Sequence, residues 1–264
     1  MNIDKRWLIL FLLFFARISL GFQFQTMGSV SSQIIDELSF NYTQIGSLIG
    51  LFMVPELFLA IPAVLTGNFL SDKSIIGLVL ISLSLGGGIA SLSETYELFF
   101  SGRLICGVGF VFSTIFFAKV TTDWFEGKEL ATAMSILVMS WPFGIAMGQI
   151  GHGWIATNFD WRWAFIIASS YCAISALLIM ILFHSPPHIK SEKVSFGIRL
   201  TGNELLLTLV ASSAWGLFNA GYVVYLSFGP SILIAQGIDT VSALGVISIA
   251  SWIMIFSGAL CGYI

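Results

Sequence analysis

Runs of roughly twenty predominantly apolar residues recur along this chain, and they constrain its fold more than any other feature. A hydrocarbon core about 30 Å thick is crossed by about 20 residues, each rising about 1.5 Å. Eight such runs are present, approximately residues 7–27, 43–66, 75–93, 96–118, 130–156, 161–183, 204–227 and 241–264. Charged residues make up only 9% of the 264, against roughly a quarter in a soluble domain. That is too little polar surface for a water-facing particle. A mean hydropathy of +0.94 and 24 Phe and 8 Trp place most side chains against lipid or one another. The expected class is therefore an all-α, multi-pass membrane protein embedded in a lipid bilayer.

The net charge of −3 rests on few groups and argues against nucleic-acid binding. Cys106, Cys172 and Cys261 are odd in number and each lies inside an apolar run, so they read as small buried hydrophobes, with neither a disulfide framework nor metal-ligand spacing. His152, His184 and His188 fall near run ends on different sides and cannot join in one metal site. Gly86-Gly87-Gly88 lacks the strand-turn-helix setting of a phosphate loop. No constellation suggests covalent chemistry, so neither enzymatic activity nor a cofactor is expected.

Basic residues near span ends stay cytoplasmic. If the spans alternate, Lys5, Arg6, Lys73, Lys119, Lys128, Lys190, Lys193 and Arg199 share one side and only Arg162 lies on the other. The opposite loops carry Asp36, Glu37, Glu94, Glu97, Asp160 and Asp239. This predicts both visible termini in the cytoplasm, in a cell membrane of the bacterial inner-membrane type. A competing reading takes Lys5-Arg6 and the apolar stretch 7–16 as a secretory signal interrupted by Arg17. Cleavage near Gly21 would then leave seven spans on a receptor-like or rhodopsin-like plan, yet neither of the last two runs holds the Lys that a retinal Schiff base needs. Asn41-Tyr42-Thr43 fits a glycosylation sequon but abuts the membrane, and a polar helix start is the simpler reading.

A faint internal repeat is visible. Gly21-Phe22-Gln23-Phe24-Gln25 and Gly221-Tyr222-Val223-Val224-Tyr225 stand 200 residues apart, and Ser31 and Ile34 recur as Ser231 and Ile234. Taken as a duplication, the match makes spans seven and eight the start of a second copy. The expected organisation is a six-helix bundle over 1–184, a connector over 185–203 containing Pro186-Pro187, and the first two helices of a second bundle over 204–264.

Several patches then resemble one family. Gly67-Asn68-Phe69-Leu70-Ser71-Asp72-Lys73 is similar to the Gly-x-Leu-x-Asp-Arg loop of the major facilitator superfamily, with Asn68 replacing a glycine and Ile75 and Ile76 replacing a glycine and a basic residue. Arg103-Leu104-Ile105-Cys106-Gly107-Val108-Gly109 resembles that family's Arg-x-x-Gln-Gly-x-Gly, with Cys106 at the polar position. Asp123-Trp124-Phe125 and Trp161-Arg162-Trp163-Ala164-Phe165 follow in the expected order and sidedness. Ser140-Trp141-Pro142-Phe143-Gly144 and the stretch 16–25 look most like the bacterial branch near the cyanate and nitrate/nitrite permeases. The resemblance implies twelve spans in two bundles, alternating access around a central site, a gating loop at Asp72 and Lys73, and movement of a small solute. About eight of those spans are present, so the sequence reads as a partial transporter. A non-transporting receptor or sensor, or a proton-coupled drug or metabolite exporter, are the alternatives on the same helices.

Charges at bilayer depth each cost at least about 2.5 kcal/mol unless partnered or facing water. Arg17 is eleven residues beyond Arg6 and Glu56 ten residues before Thr66, so both lie about 15–16 Å in from one face. Two readings of Arg17 stand: a permanent ion pair with Glu56, or bidentate binding of an anion in a central cavity. Glu56 follows Pro55, where the helix is expected to bend, and is a candidate carrier for a coupling proton. Gln25, two turns beyond Arg17, is a candidate for the same cavity, and Arg103 begins a stripe through Gly107, Phe110 and Thr114 at helical spacing. Ser140, Gly144 and Gly148 read as a close-packing stripe, with Trp141 and Pro142 turned toward the cavity. Trp215 and Asn219, one turn apart in the seventh run, complete the candidate pathway. Arg17 and Arg103 against Glu56 leave a net +1 among the deep groups, which favours a small organic or inorganic anion.

Overall fold

The computed structural model describes residues 4–125, 127, 129–186 and 201–263. Lys128, His188, Lys190, Lys193, Arg199 and most of the expected connector fall outside the described residues, as does the side chain of Cys261. Ten helices run in order: α1 (Lys5–Ser29), α2 (Ser31–Leu38), α3 (Tyr42–Gly50), α4 (Glu56–Thr66), α5 (Asp72–Ser91), α6 (Tyr96–Trp124), α7 (Leu130–Asn158), α8 (Arg162–Leu182), α9 (Gly202–Ala235) and α10 (Thr240–Tyr263). Seven of the described helices, all but α2, α3 and α4, are long and apolar enough to cross a membrane. Leu57, Phe58, Phe11, Leu207 and Leu217 stand largely exposed, as suits side chains bathed in lipid.

Polar residues set the helix starts. The Asp4 carboxylate accepts from Arg6 N at the head of α1, Ser71 Oγ from Ser74 N at α5, and Thr95 Oγ1 from Leu98 N at α6. Asn41 forms a reciprocal capping box with Gln44, 2.9 Å in each direction, so Asn41-Tyr42-Thr43 is the mouth of a helix.

The second apolar run is not one helix. It divides into α3 and α4 across 51–55, where Phe52 N, Met53 N and Glu56 N reach back only three residues. Pro55 has no N–H for the carbonyl of Leu51, and the chain tightens ahead of it. α6 and α9 outrun their apolar stretches, α6 as far as Trp124, past Asp123, whose carboxylate pairs with Lys119 one turn earlier, and α9 through Pro230 to Ala235.

α1 sits centrally, against α7 on one side and α8 on another, while α5 joins α6 to α8. Gly21 of α1 and Gly144 of α7 lie backbone to backbone: a Cβ on Gly21 would meet the carbonyl of Trp141, and one on Gly144 the carbonyl of Ile18. α10 lies along α7, and α9 touches α10 and α1. Ion pairs gather at both ends of the molecule. Lys119 joins Asp72 and Asp123 at one end, where Arg6 also joins Asp4 and Glu129. At the other, Arg162 bridges Glu37 and Asp160, and the indole N–H of Trp161 donates to Glu37 at 2.7 Å. Those hydrogen bonds from Arg162 and Trp161 hold the Glu37 carboxyl below the usual range.

Candidate functional site

A cavity of about 520 Å³ opens between α1, α4, α6 and α7 on one side and α9–α10 on the other. Arg17 of α1, Glu56 at the start of α4, Thr114 of α6, Trp141 of α7, and Trp215 and Asn219 of α9 all line it. Gln25 and Arg103 are not on its wall.

Arg17 reaches across to α7. Its Nη1 donates to Leu137 O at 2.9 Å and Ser140 Oγ at 3.0 Å, with Val138 O at 3.4 Å. Val138 O is available because Pro142, four residues on, has no N–H to give it. One nitrogen is thus anchored, while Nη2 and Nε make no hydrogen bond among the described residues. Glu56 occupies the first turn of α4, where the helix N-terminus favours a carboxylate. It is half-buried and forms no ion pair among the described residues, with Arg17 or any other group. The two charges share the cavity without a salt bridge between them.

Arg103 is fully buried behind this wall. Its Nε donates to Leu48 O at 3.0 Å, its Nη1 and Nη2 point at Gln23 O and Phe24 O at 3.4 Å, and its guanidinium lies 4.8 Å from the centre of the Phe52 ring. Leu48 O lacks its helical donor because Phe52 N turns back to Ile49 O instead. Along the α6 stripe, Gly107 meets the carbonyls of Leu51 and Phe52, and only Phe110 and Thr114 reach the cavity. Gln25 is buried between α1 and α7, donating to Ser29 Oγ at 3.3 Å. The cavity wall itself therefore carries one cation and one carboxylate; the second arginine in the +1 sum stands behind it.

Asp72 meets Lys119 at 2.7 Å rather than Lys73, and the same ammonium reaches Asp123 at 3.0 Å. Lys73, half-buried beside it, makes no ion pair among the described residues. This cluster rims a separate cavity of about 340 Å³ bounded by Gly67, Asn68 and Ser185.

Several residues of the main cavity went unmarked as site residues in the sequence, among them Phe218 and Tyr222. Trp215, Phe218, Asn219 and Tyr222 follow one another at i, i+3, i+4 and i+7, a helical face legible in principle. Phe218 and Tyr222 stack at 5.9 Å, Phe110 and Trp141 lie 5.2 Å apart, and Tyr222 Oη meets Ser251 Oγ at 2.8 Å, tying α9 to α10. The walls are thus aromatic and the polar groups few. Among the described residues no three His, Cys, Asp or Glu side chains are grouped to hold a metal.

Comparison with known proteins gives a consistent result. The family model described as Major Facilitator Superfamily matches residues 9–264. The hexuronate transporter of Bacillus subtilis (strain 168) is 23% identical over 269 residues, covering 98% of this chain and 64% of that protein. A putative tartrate transporter of Agrobacterium vitis is 23% identical over 217 residues, covering 78% of this chain and 47% of that protein. The fold is similar to a bacterial homologue of the human lysosomal transporter Spinster in an inward-facing, unoccupied conformation, with a TM-score of 0.74 at 18% identity over 96% of this chain and 61% of that one. It is also similar to a D-xylose-proton symporter, with a TM-score of 0.64 at 15% identity over 94% of this chain and 66% of that one. The chain thus spans about two thirds or less of the length of these proteins.

Proposed function

Because the chain belongs to the Major Facilitator Superfamily, we propose that it is the larger part of a secondary transporter for a small organic anion, moved by alternating access through the cavity between α1, α4, α6, α7 and α9. The observation that carries this reading is Arg17. Its guanidinium lines the cavity and is anchored through Nη1, which leaves Nε and Nη2 with no hydrogen bond among the described residues, the pair of donors that can receive a carboxylate with two parallel hydrogen bonds. The surrounding Trp141, Trp215, Phe218 and Tyr222 offer flat faces to a carbon skeleton, and Asn219 and Thr114 offer hydrogen bonds to hydroxyls. A polyhydroxylated carboxylate fits that lining, and hexuronate and tartrate, in the names of two relatives, are of this kind.

Glu56 supplies the coupling in this reading. With Glu56 ionised, the cavity holds one charge of each sign and an incoming anion meets its repulsion. With Glu56 protonated, Arg17 stands alone. Proton and anion then favour each other's binding by the same factor. Residues 1–184 form the first bundle, 185–203 the connection and 204–264 the opening helices of the second, with the Lys5 end in the cytoplasm.

Uptake of labelled glucuronate and tartrate into proteoliposomes bearing the protein, under a proton gradient, tests the proposal. Arg17→Lys keeps the charge and loses the fork, and is expected to weaken uptake about tenfold or more while expression holds. Binding without uptake would instead mark a receptor or sensor. Full uptake by Arg17→Gln would eliminate Arg17 as the anion's ligand.

A further inference from the structure

Another face of α1 borders a larger cavity, about 910 Å³, between α1 and α8 at the Lys5 end. Leu8, Phe11, Leu12 and Phe15 line it at i, i+3, i+4 and i+7, facing Leu178 and Leu182 one turn apart on α8. Phe11 is 70% exposed and Leu182 51%, so the groove opens sideways and is not sealed inside the bundle. From Lys5 to Phe15 the groove descends ten residues, about 15 Å, which is half of a hydrocarbon core of about 30 Å. Its length is that of one leaflet.

The mouth is chemically different from the walls. Lys5, His184, Ser185 and Trp124 surround it. Arg6, the next residue, is held by Asp4 and Glu129 at 2.9 Å each, whereas Lys5 is exposed and has no ion-pair partner among the described residues. Among the described residues no carboxylate lines the groove, and Asp4, Asp123 and Glu129 are each engaged with another cation. A free ammonium therefore stands over an apolar slot one leaflet deep.

We propose that this groove is a binding site for an anionic phospholipid of the leaflet at the Lys5 end, with one acyl chain along α1 and α8 and the phosphate accepting from Lys5. A soluble anion would gain nothing from walls of Leu and Phe. A zwitterionic lipid would fill the slot yet bring a second cation against Lys5. Juxtamembrane lysines attract acidic headgroups in the same way. The site stands apart from the central cavity and does not depend on what that cavity carries.

The test is lipid retention by the purified protein, read by native mass spectrometry after exposure to equal amounts of phosphatidylglycerol and phosphatidylcholine with identical acyl chains. Phosphatidylglycerol is expected to be retained about fivefold over phosphatidylcholine. Lys5→Gln should abolish that preference and Lys5→Arg should restore it, and since Lys5 is an exposed first-turn residue, neither should alter helicity. Phe11→Trp, which fills the slot, should lower retention of both lipids. Equal retention by the unaltered protein, a preference that survives Lys5→Gln, or displacement of the lipid by acyl-free glycerophosphate would overturn the proposal. So would efficient disulfide formation between cysteines placed at Phe11 and Lys193, which would seat the chain's own connector in the groove.

Discussion

Replacing Gly144 with alanine tests how α1 and α7 are held together. A Cβ there would collide with Ile18 O, stand 2.8 Å from Phe22 N and 3.2 Å from the carbonyl carbon of Gly21. All three are backbone atoms, which cannot rotate away. Ordinary contact begins near 3.4 Å, so the helices must part by about 1 Å, a shift that close-packed interiors absorb at about 1–3 kcal/mol. Alanine's helix propensity returns up to about 1 kcal/mol. Gly151→Ala is the control, because it lies on the same helix with nothing within 4 Å of its added carbon. The propensity gain is common to both variants, so the difference between them isolates the collision. At about 2–4 °C per kcal/mol for a chain of this size, Gly144→Ala should melt roughly 2–12 °C below Gly151→Ala. Adding Gly21→Ala, whose Cβ would meet Trp141 O across the same contact, should cost less than it does alone, since the helices have already separated. Thermal melts in detergent decide the matter. If Gly144→Ala and Gly151→Ala melted together, α1 and α7 would not be in backbone contact and the position of Arg17 against α7 would fall with them.

Lys119→Met should destabilise the protein by about 1–3 kcal/mol, because it removes the cation between Asp72 and Asp123 and leaves two half-buried carboxylates facing each other. Adding Asp123→Asn should recover part of the loss, measurable by the same melts; full additivity would refute the shared ammonium. At the opposite end, the contribution of Glu37 is present above its unfolded carboxylate pKa and is lost as pH falls through its lower folded value. Glu37→Gln should therefore flatten that acid limb of the melting profile, by a modest amount for so exposed a pair; an unchanged limb would sink the assignment. For the central cavity, Arg17→Gln and Glu56→Gln should affect stability nearly additively, as the two make no ion pair, whereas a permanent pair would let the double variant recover. Glu56→Gln should also remove the rise in anion affinity on acidification, read by binding across pH; a persistent rise would assign the proton to another group.

The helices were legible because the length of each apolar run is fixed by bilayer thickness, and Pro55 announced the bend between α3 and α4. Depth arithmetic likewise put Arg17 and Glu56 at one height, and both face one cavity. Height says nothing of direction around the helix, and that is where reading from sequence ran out. Asp72 and Lys73 are neighbours in the chain but project about 100° apart in a first helical turn, so the partner of Asp72 is Lys119, 47 residues away. Of the stripe that begins at Arg103, only Phe110 and Thr114 line the cavity, while Arg103 is buried against α1 and α3.

Both deep arginines illustrate why. Arg103 donates to Leu48 O, and Arg17 lies within reach of Val138 O. Each carbonyl has lost its own helical donor, the first to the tightened turn ahead of Pro55, the second to Pro142. A guanidinium in a membrane is usually expected to seek a carboxylate; here two irregular helices provide backbone oxygen instead. Because the arginines are partly solvated in this way, neither consumes Glu56, and the cavity keeps a carboxylate with no partner among the described residues. The prolines and the arginines therefore act together: the helix breaks that look like defects in the apolar runs are what leave one anchored cation and one unpaired carboxylate facing the same space.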